Sequence, residues 1–94
     1  MVTAIVLLTV NRREINGVAE ELSNMQGVAE VYSVTGQYDL VAILRLKDNE
    51  QLAEIVTKQM SKLDGIQRSE TMLALRWYSR HDLERVFSIG LEDN

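Results

Sequence analysis

Cysteine is absent from this chain of 94 residues, and histidine and tryptophan each occur once. Without cysteine the protein forms no disulfide, no thiolate metal site and no thiol nucleophile, which fits the reducing environment of the cytoplasm. The first residues lack the basic segment and cleavage site of a secretory signal, and the apolar run 4–8 is far too short to cross a bilayer. We therefore expect a cytoplasmic protein with no membrane partner.

Basic residues are also too few to suggest a nucleic-acid ligand. The chain has 10 Lys and Arg against 14 Asp and Glu, which gives a formal net charge of −4, and no basic run compensates locally. Affinity for nucleic-acid phosphates depends on Lys and Arg that displace condensed counterions. We expect no direct binding to nucleic acid.

Apolar periodicity predicts the element order β-α-β-β-α-β. The predicted strands are Val2–Val10, Val28–Thr35, Leu40–Leu46 and Ile66–Tyr78. The predicted helices carry core stripes of Ile15, Val18, Ala19, Leu22 and Met25 and of Leu52, Ile55, Val56, Met60 and Leu63. In the second strand, alternation places Val28 and Tyr32 on one face and Val31 on the other.

An internal repeat supports this order. Residues 18–34 align with residues 56–72, and Gly27 and Gly65 occupy equivalent positions just after the two helices. Two copies of one unit predict an α+β, ferredoxin-like fold, with a four-stranded antiparallel sheet and both helices on one face. We divide the chain into a domain over residues 1–78 and a tail over residues 79–94, with a short C-terminal helix that presents Leu83, Val86 and Phe87.

The strands are more apolar than a sheet with one solvated face requires. Residues 4–8 and 40–44 are apolar on both faces, whereas strands of a half-exposed antiparallel sheet alternate with polar residues. An exposed apolar face of this kind marks an interaction surface. We expect the face without helices to pack against the sheet of another subunit, in a homodimer of the dimeric α/β-barrel type.

The hairpin Thr35-Gly36-Gln37-Tyr38-Asp39 is the strongest candidate for a ligand site. Its glycine and backbone N–H groups suit an α-carboxylate, Asp39 suits an α-ammonium group, and Tyr38 is able to wall a side-chain pocket. The alternative is a plain hairpin in which Asp39 bonds its own backbone and Gly36 only turns the chain.

Other chemistry is weakly supported. The sequence has no phosphate-binding glycine loop and no cluster with metal-ligand spacing, so we predict neither cofactor, metal nor catalytic residue. His81 beside Asp82 is interpreted as a helix start rather than a general base. Trp77 and Tyr78, between Arg76 and Arg80, are interpreted as packing at a subunit interface or against the tail helix rather than as a nucleic-acid or ligand platform.

The segment Val34-Thr35-Gly36-Gln37-Tyr38-Asp39, the apolar strand after it, and Ser69-Glu70-Thr71 in the last strand resemble one known family. It is the leucine-responsive/asparagine-activator (Lrp/AsnC) family of feast/famine transcriptional regulators. The resemblance is to its ligand-binding domain, the regulation-of-amino-acid-metabolism (RAM) domain, over residues 2–78. The tail 78–88 resembles that of short, stand-alone members, which lack the helix-turn-helix domain.

This resemblance implies an amino-acid sensing and oligomerisation module that regulates transcription or amino-acid metabolism through a partner, not an enzyme. Its implied effector-binding residues are Gly36, Gln37, Tyr38 and Asp39, with Thr71 and, more weakly, Ser69 approaching from a neighbouring subunit. The implied partners are a second copy, a higher oligomer built from dimers, a free amino acid, and a full-length Lrp/AsnC-type regulator. Two alternatives stay open: a structural co-assembly partner without a metabolite, and a cofactor-free enzyme of the dimeric α/β-barrel type.

Overall fold

A computed structural model of the chain describes residues 1–80. The strands are β1 (Val2–Val10), β2 (Val28–Ser33), β3 (Leu40–Leu46) and β4 (Ile66–Ala74). The helices are α1 (Ile15–Ser23), which follows a 3-10 turn at Arg12–Glu14, and α2 (Asn49–Glu54), which continues through a π-helical stretch at Ile55–Gln59 and a 3-10 turn at Met60–Lys62. The predicted tail helix and His81 lie outside the described residues. No helix within residues 1–80 is long and apolar enough to cross a membrane.

The four strands form one sheet in the order β2-β3-β1-β4, and every pairing is antiparallel. The two strands that follow helices, β2 and β4, are therefore the edges, and β1 and β3 are central. Each half of the chain contributes one central and one edge strand, as the internal repeat requires. The fold is the α+β, ferredoxin-like arrangement predicted from the sequence.

The core lies between the helices and one face of the sheet. Alternate residues of β1 and β3 point into it and are buried, whereas the residues between them are half-buried or exposed. The predicted helix stripes supply the other side of the core. Its buried members are Ala4, Val6, Leu8, Val10, Val18, Leu22, Leu40, Ala42, Leu44, Leu46, Ile55 and Met60.

Side-chain caps and glycines fix where the helices begin and end. The Asp48 carboxylate accepts a hydrogen bond from the Gln51 N–H at 2.9 Å, and the Gln51 side chain accepts one from the Lys47 N–H at 2.7 Å. This reciprocal pair closes the start of α2 much as a capping box does. Gly27 and Gly65 both adopt positive φ, +98° and +101°, which allows the chain to leave each helix and enter an edge strand.

The structure corrects the predicted facing of β2. Val28 lies opposite Leu44, but Glu30 lies opposite Ile43, so Ala29 is an extra residue in the ladder. This bulge shifts the alternation by one position, and Val28 and Val31 both pack against the core. The prediction that these two valines lie on opposite faces is therefore wrong.

The predicted end of β4 is also wrong. The strand stops at Ala74, which pairs with Thr3, rather than continuing to Tyr78. Because β4 is an edge strand and its neighbour β1 begins at Val2, the chain beyond Ala74 has almost no strand left to pair with. Apolar residues continue in the sequence after Ala74, but pairing with β1 does not.

The face of the sheet without helices, which we call the outer face, is apolar at its centre. Residues directly opposite one another in antiparallel strands share a face, so Ile5 pairs there with Ile43 and Met72, and Leu7 pairs there with Val41. Met72 is 43% exposed, and the four central residues are half-buried although no helix covers them. The outer face therefore has the apolar centre that the sequence predicts.

Candidate functional site

The loop between β2 and β3 is held firmly against the sheet at its base. The Val34 N–H donates to the Asp39 carbonyl at 3.0 Å, which closes the loop, and the Asp39 N–H donates to the Leu8 carbonyl of β1 at 2.8 Å. Between these anchors, Gly36 has φ +111°, a conformation that residues with a Cβ rarely adopt. The backbone at this position therefore favours glycine.

The Asp39 side chain bonds to a neighbouring strand. One carboxylate oxygen, Oδ2, accepts a hydrogen bond from the Val10 N–H at 2.8 Å in a partly buried setting. Val10 is the last residue of β1, so Asp39 joins the start of β3 to the end of β1 through both its backbone and its side chain. The predicted alternative, in which Asp39 bonds its own backbone, is not what the structure shows.

Tyr38 connects the same loop to the far edge of the sheet. Its hydroxyl donates to Glu70 Oε2 at 2.5 Å. Glu70 lies opposite Leu7 and therefore on the outer face, so the Tyr38 side chain reaches across the end of β1 on that side. The hydrogen bond to Glu70 raises the pKa of the Tyr38 hydroxyl above its ordinary value of 10.0, because ionisation would lose the bond and place two negative charges together.

The tip of the loop is open to solvent. Gly36 and Gln37 are exposed, whereas Tyr38 and Asp39 are half-buried beneath them. A Cβ added at Gly36 would meet no atom within 4 Å, so its surroundings are uncrowded. Within residues 1–80 the backbone N–H groups of Gly36 and Gln37 make no hydrogen bond to the protein. The tip thus presents two donors beside a half-buried ring and carboxylate.

Ser69 and Thr71 lie elsewhere. They pair with Leu8 and Val6, whose side chains are in the core, so both point to the helix side of the sheet. Glu70, between them, points to the outer face and meets Tyr38. Both Ser69 and Thr71 are exposed on the edge strand β4, and neither is hydrogen-bonded to the loop of its own chain. Gly36, Gln37, Tyr38 and Asp39 lie together in the loop, and Ser69 and Thr71 are apart from them within a single chain.

Two residues of this site were not predicted. Val10 supplies the N–H that holds Asp39, and Glu70 supplies the acceptor that holds Tyr38. Glu70 is 32 residues from Tyr38 in sequence, so no local motif links them. The sequence points to Glu70 only indirectly. Glu70 lies in the Ser69-Glu70-Thr71 segment, and strand alternation places its side chain on the face opposite those of its two neighbours.

A second polar cluster lies on the outer face at the other edge of the sheet. The Tyr32 hydroxyl donates to Glu30, and Arg45 of β3 lies 3.7 Å from the same carboxylate. The hydrogen bond to Glu30 raises the pKa of Tyr32 as well. Both edges of the outer face thus carry a tyrosine bonded to a glutamate, and the apolar centre lies between them.

Metal ligands do not converge in the part of the chain that is described. Across residues 1–80 no group of three His, Cys, Asp or Glu side chains has the arrangement of a metal site. The buried side-chain nitrogen and oxygen atoms of this region all have hydrogen-bond partners.

The sequence matches a known family over most of its length. The model of the Lrp/AsnC ligand binding domain aligns with residues 3–83, which include all of the sheet except Val2, both helices and the loop 34–39. This chain belongs to that family. Its named relatives are transcriptional regulators rather than enzymes.

Three similar proteins illustrate the match. The HTH-type transcriptional regulator FL11 of Pyrococcus furiosus is 29% identical over 75 residues, which is 80% of this chain and 49% of that protein. The crystal structure of TTHA0845 from Thermus thermophilus is 48% identical with a TM-score of 0.80, covering 85% of this chain and 100% of that one. The transcriptional regulator NMB0573 of Neisseria meningitidis was solved as a complex with L-Met. It has a TM-score of 0.71 at 14% identity, and the match covers 84% of this chain and 53% of that one.

These comparisons differ in what they support. The NMB0573 likeness, at 14% identity, shows a shared fold alone. The chain spans about half the length of the curated relatives it matches. The chain is a regulatory ligand-binding domain of Lrp/AsnC type.

Proposed function

We propose that this domain senses a free amino acid at the loop 34–39 and passes the signal on through assembly with other copies of the chain. The observation that carries the proposal is the construction of the loop. Hydrogen bonds to β1 and β4 fix its base, while its tip presents unbonded N–H groups beside a carboxylate. A site fixed in advance loses less entropy when a small ligand binds.

The chemistry of the loop suits a zwitterion. The unbonded backbone N–H groups of Gly36 and Gln37 are consecutive donors that suit an α-carboxylate. Asp39 uses one oxygen for Val10, so its second oxygen is available to accept from an α-ammonium group. The half-buried Tyr38 ring supplies an apolar wall for the side chain of the amino acid.

Other subunits complete the site in this proposal. The loop alone is shallow and open, whereas small-molecule sites bury most of their ligand. Ser69 and Thr71 are exposed on the edge strand and face away from their own loop. We therefore assign them, as the family resemblance implies, to the loop of a neighbouring subunit. The likeness to the fold of NMB0573, which was solved with L-Met, supports an amino acid as the ligand class.

Assembly is the second part of the proposal. Ile5, Leu7, Val41, Ile43 and Met72 form an apolar centre on the outer face, and a domain of this size gains much stability by covering such a surface. The net charge of −4 favours a role in which DNA is contacted by another domain or protein. Transcriptional control would then depend on the assembly that the domain forms.

The hydrogen bond between Asp39 and Val10 also supports a second candidate function. A carboxylate that joins two strands has a structural reason to be present without any ligand. In that case the chain is a structural partner that assembles with a full-length regulator and binds no metabolite.

A thermal-shift screen of the twenty amino acids separates the two functions. A ligand that binds only the folded assembly, present at 100 times its Kd, stabilises it by about 2.7 kcal/mol, a Tm rise on the order of 10 °C. The matched controls are the N-acetyl and amide derivatives of any hit, which lack the ammonium and carboxylate charges. We expect a shift for the free amino acid only. No shift with any of the twenty at millimolar concentration would leave the structural partner as the function.

A further inference from the structure

The residues that follow β4 expose large apolar side chains. Leu75 is 88% exposed and Trp77 is 82% exposed, and neither belongs to the sheet. Isolated exposed leucines are common on protein surfaces, but tryptophan is highly buried on average and is enriched at interfaces. We call residues 75–78 the arm.

An apolar groove of about 620 Å³ lies beside the arm on the outer face. Its floor includes Ile5 and Ile43, which pair across the central strands, and Arg45 and Arg76 contribute to its lining. Trp77 also lines the groove but leaves most of its surface in solvent. The described residues therefore leave both the groove and the indole largely uncovered.

We propose that the arm packs across the outer face of a second copy of this chain, with its Trp77 side chain in the groove of that copy. The inference rests on the assembly in the proposed function and specifies how that assembly is anchored. A two-fold dimer makes the contact reciprocal, because each copy supplies one arm and one groove. One contact then covers two apolar features that a single chain leaves exposed.

Several features favour a second copy as the occupant over a small ligand. The groove is continuous with the apolar centre of the outer face, since Ile5 and Ile43 belong to both. A small ligand in the groove would leave the rest of that apolar centre, including Leu7 and Val41, uncovered. A volume of about 620 Å³ is within the range that holds drug-sized groups, and an indole is smaller than these.

The groove also carries groups that recognise an aromatic ring. Arg45 is positioned by Glu30 at 3.7 Å, and guanidinium groups attract the face of an indole. Tryptophan and arginine are, with tyrosine, the residues most often found as energetic anchors at the centre of protein interfaces. Trp77 and Arg45 are thus suited to meet across the two-fold axis.

The experiment uses Trp77 as its own reporter, because it is the only tryptophan in the full chain. Emission of the intact protein is recorded over a dilution series, and sedimentation velocity on the same samples gives the dimer fraction. We expect the emission to shift to the blue with the same midpoint as dimer formation. We expect Trp77→Ala to raise the dimer Kd by about thirtyfold.

Two further variants control the result. Ile43→Ser removes an apolar side chain from the groove floor but keeps the reporter, so its Trp77 emission should stay that of an exposed indole at concentrations where the unmodified chain is dimeric. Tyr78→Ala changes the same arm at a residue that does not line the groove, and it should leave the dimer Kd within about threefold. Circular dichroism confirms that each variant is folded.

The other outcomes each contradict the proposal. A dimer in which Trp77 stays exposed, or a Trp77→Ala variant that dimerises normally, overturns the arm contact while leaving amino-acid binding and assembly intact. If the Trp77 emission is blue-shifted and stays so when the protein is diluted to monomer, residues of the same chain cover the indole and the contact with a second copy is wrong. A folded monomer at every concentration overturns both the arm contact and the proposed assembly.

Discussion

Tyr38 and Glu70 are joined by a hydrogen bond of 2.5 Å that connects the loop between β2 and β3 to the edge strand β4. The bond spans the end of β1 on the outer face of the sheet. The loop that carries the candidate ligand groups is therefore attached directly to the face that we propose for assembly.

We expect Tyr38 to titrate above pH 10. The hydrogen bond to Glu70 raises its pKa above the ordinary 10.0, so the stabilising effect of the bond is fully present below that pH and is lost as pH rises through the pKa of the folded chain. An alkaline titration followed by tyrosinate absorbance measures this. The part of the tyrosinate absorbance change that is lost in Tyr38→Phe should appear above pH 10.

Tyr32→Phe is the control, since the hydrogen bond from Tyr32 to Glu30 is on the other edge of the sheet and raises that pKa too. Tyr32→Phe should remove a different part of the absorbance change and leave the part that belongs to Tyr38 unchanged. If the component lost in Tyr38→Phe ionises at or below pH 10, the hydrogen bond to Glu70 is absent.

The same substitution should have opposite effects at two exposed glycines. Gly36→Ala forces a Cβ onto φ +111° and should destabilise the fold by about 1–3 kcal/mol, although the space around it is open. Gly17→Ala lies in the exposed part of α1, also in open space, and should stabilise the fold by about 0.5–1 kcal/mol. Urea denaturation monitored by circular dichroism measures both. Equal effects at the two positions would mean that Gly36 is not held at positive φ.

Adjacent residues of β3 should separate folding from assembly. Leu44 is fully buried in the core, so Leu44→Ala should lower the free energy of unfolding by about 2–5 kcal/mol. Ile43 points to the outer face, so Ile43→Glu should keep the fold and prevent dimer formation, because a dimer would bury an unpaired charge. Urea denaturation measures the loss of stability in Leu44→Ala, and sedimentation velocity measures the loss of dimer in Ile43→Glu. A folded Ile43→Glu dimer would exclude the outer face as the interface.

The frame of this fold was predictable because it repeats. Gly27 and Gly65 end equivalent helices, and the apolar stripes of both helices face the core as periodicity predicts. The extra residue at Ala29 was not predictable, because a bulge is recognised only once the pairing register of β2 with β3 is known. The end of β4 at Ala74 depends on where its neighbour β1 begins, which is tertiary information.

The candidate site was predicted in part. Gly36 and Asp39 belong to a continuous segment, and their types alone suggest a turn with a carboxylate. The partners of that segment, Val10 and Glu70, come from other strands and become visible only when the sheet is assembled. The facing of Thr71, away from its own loop, follows from its register with Val6.

Isothermal titration calorimetry on the unmodified chain, Asp39→Asn and Asp39→Ala tests amino-acid recognition most directly. The Asn side chain keeps an oxygen that can accept from the Val10 N–H but loses the negative charge, whereas Ala loses both. We predict that the unmodified assembly binds one of the twenty amino acids and that Asp39→Asn weakens binding about tenfold or more, while its Tm and oligomeric state stay those of the unmodified chain. Binding by Asp39→Asn as tight as that of the unmodified chain would contradict the assignment of Asp39 to the ammonium group.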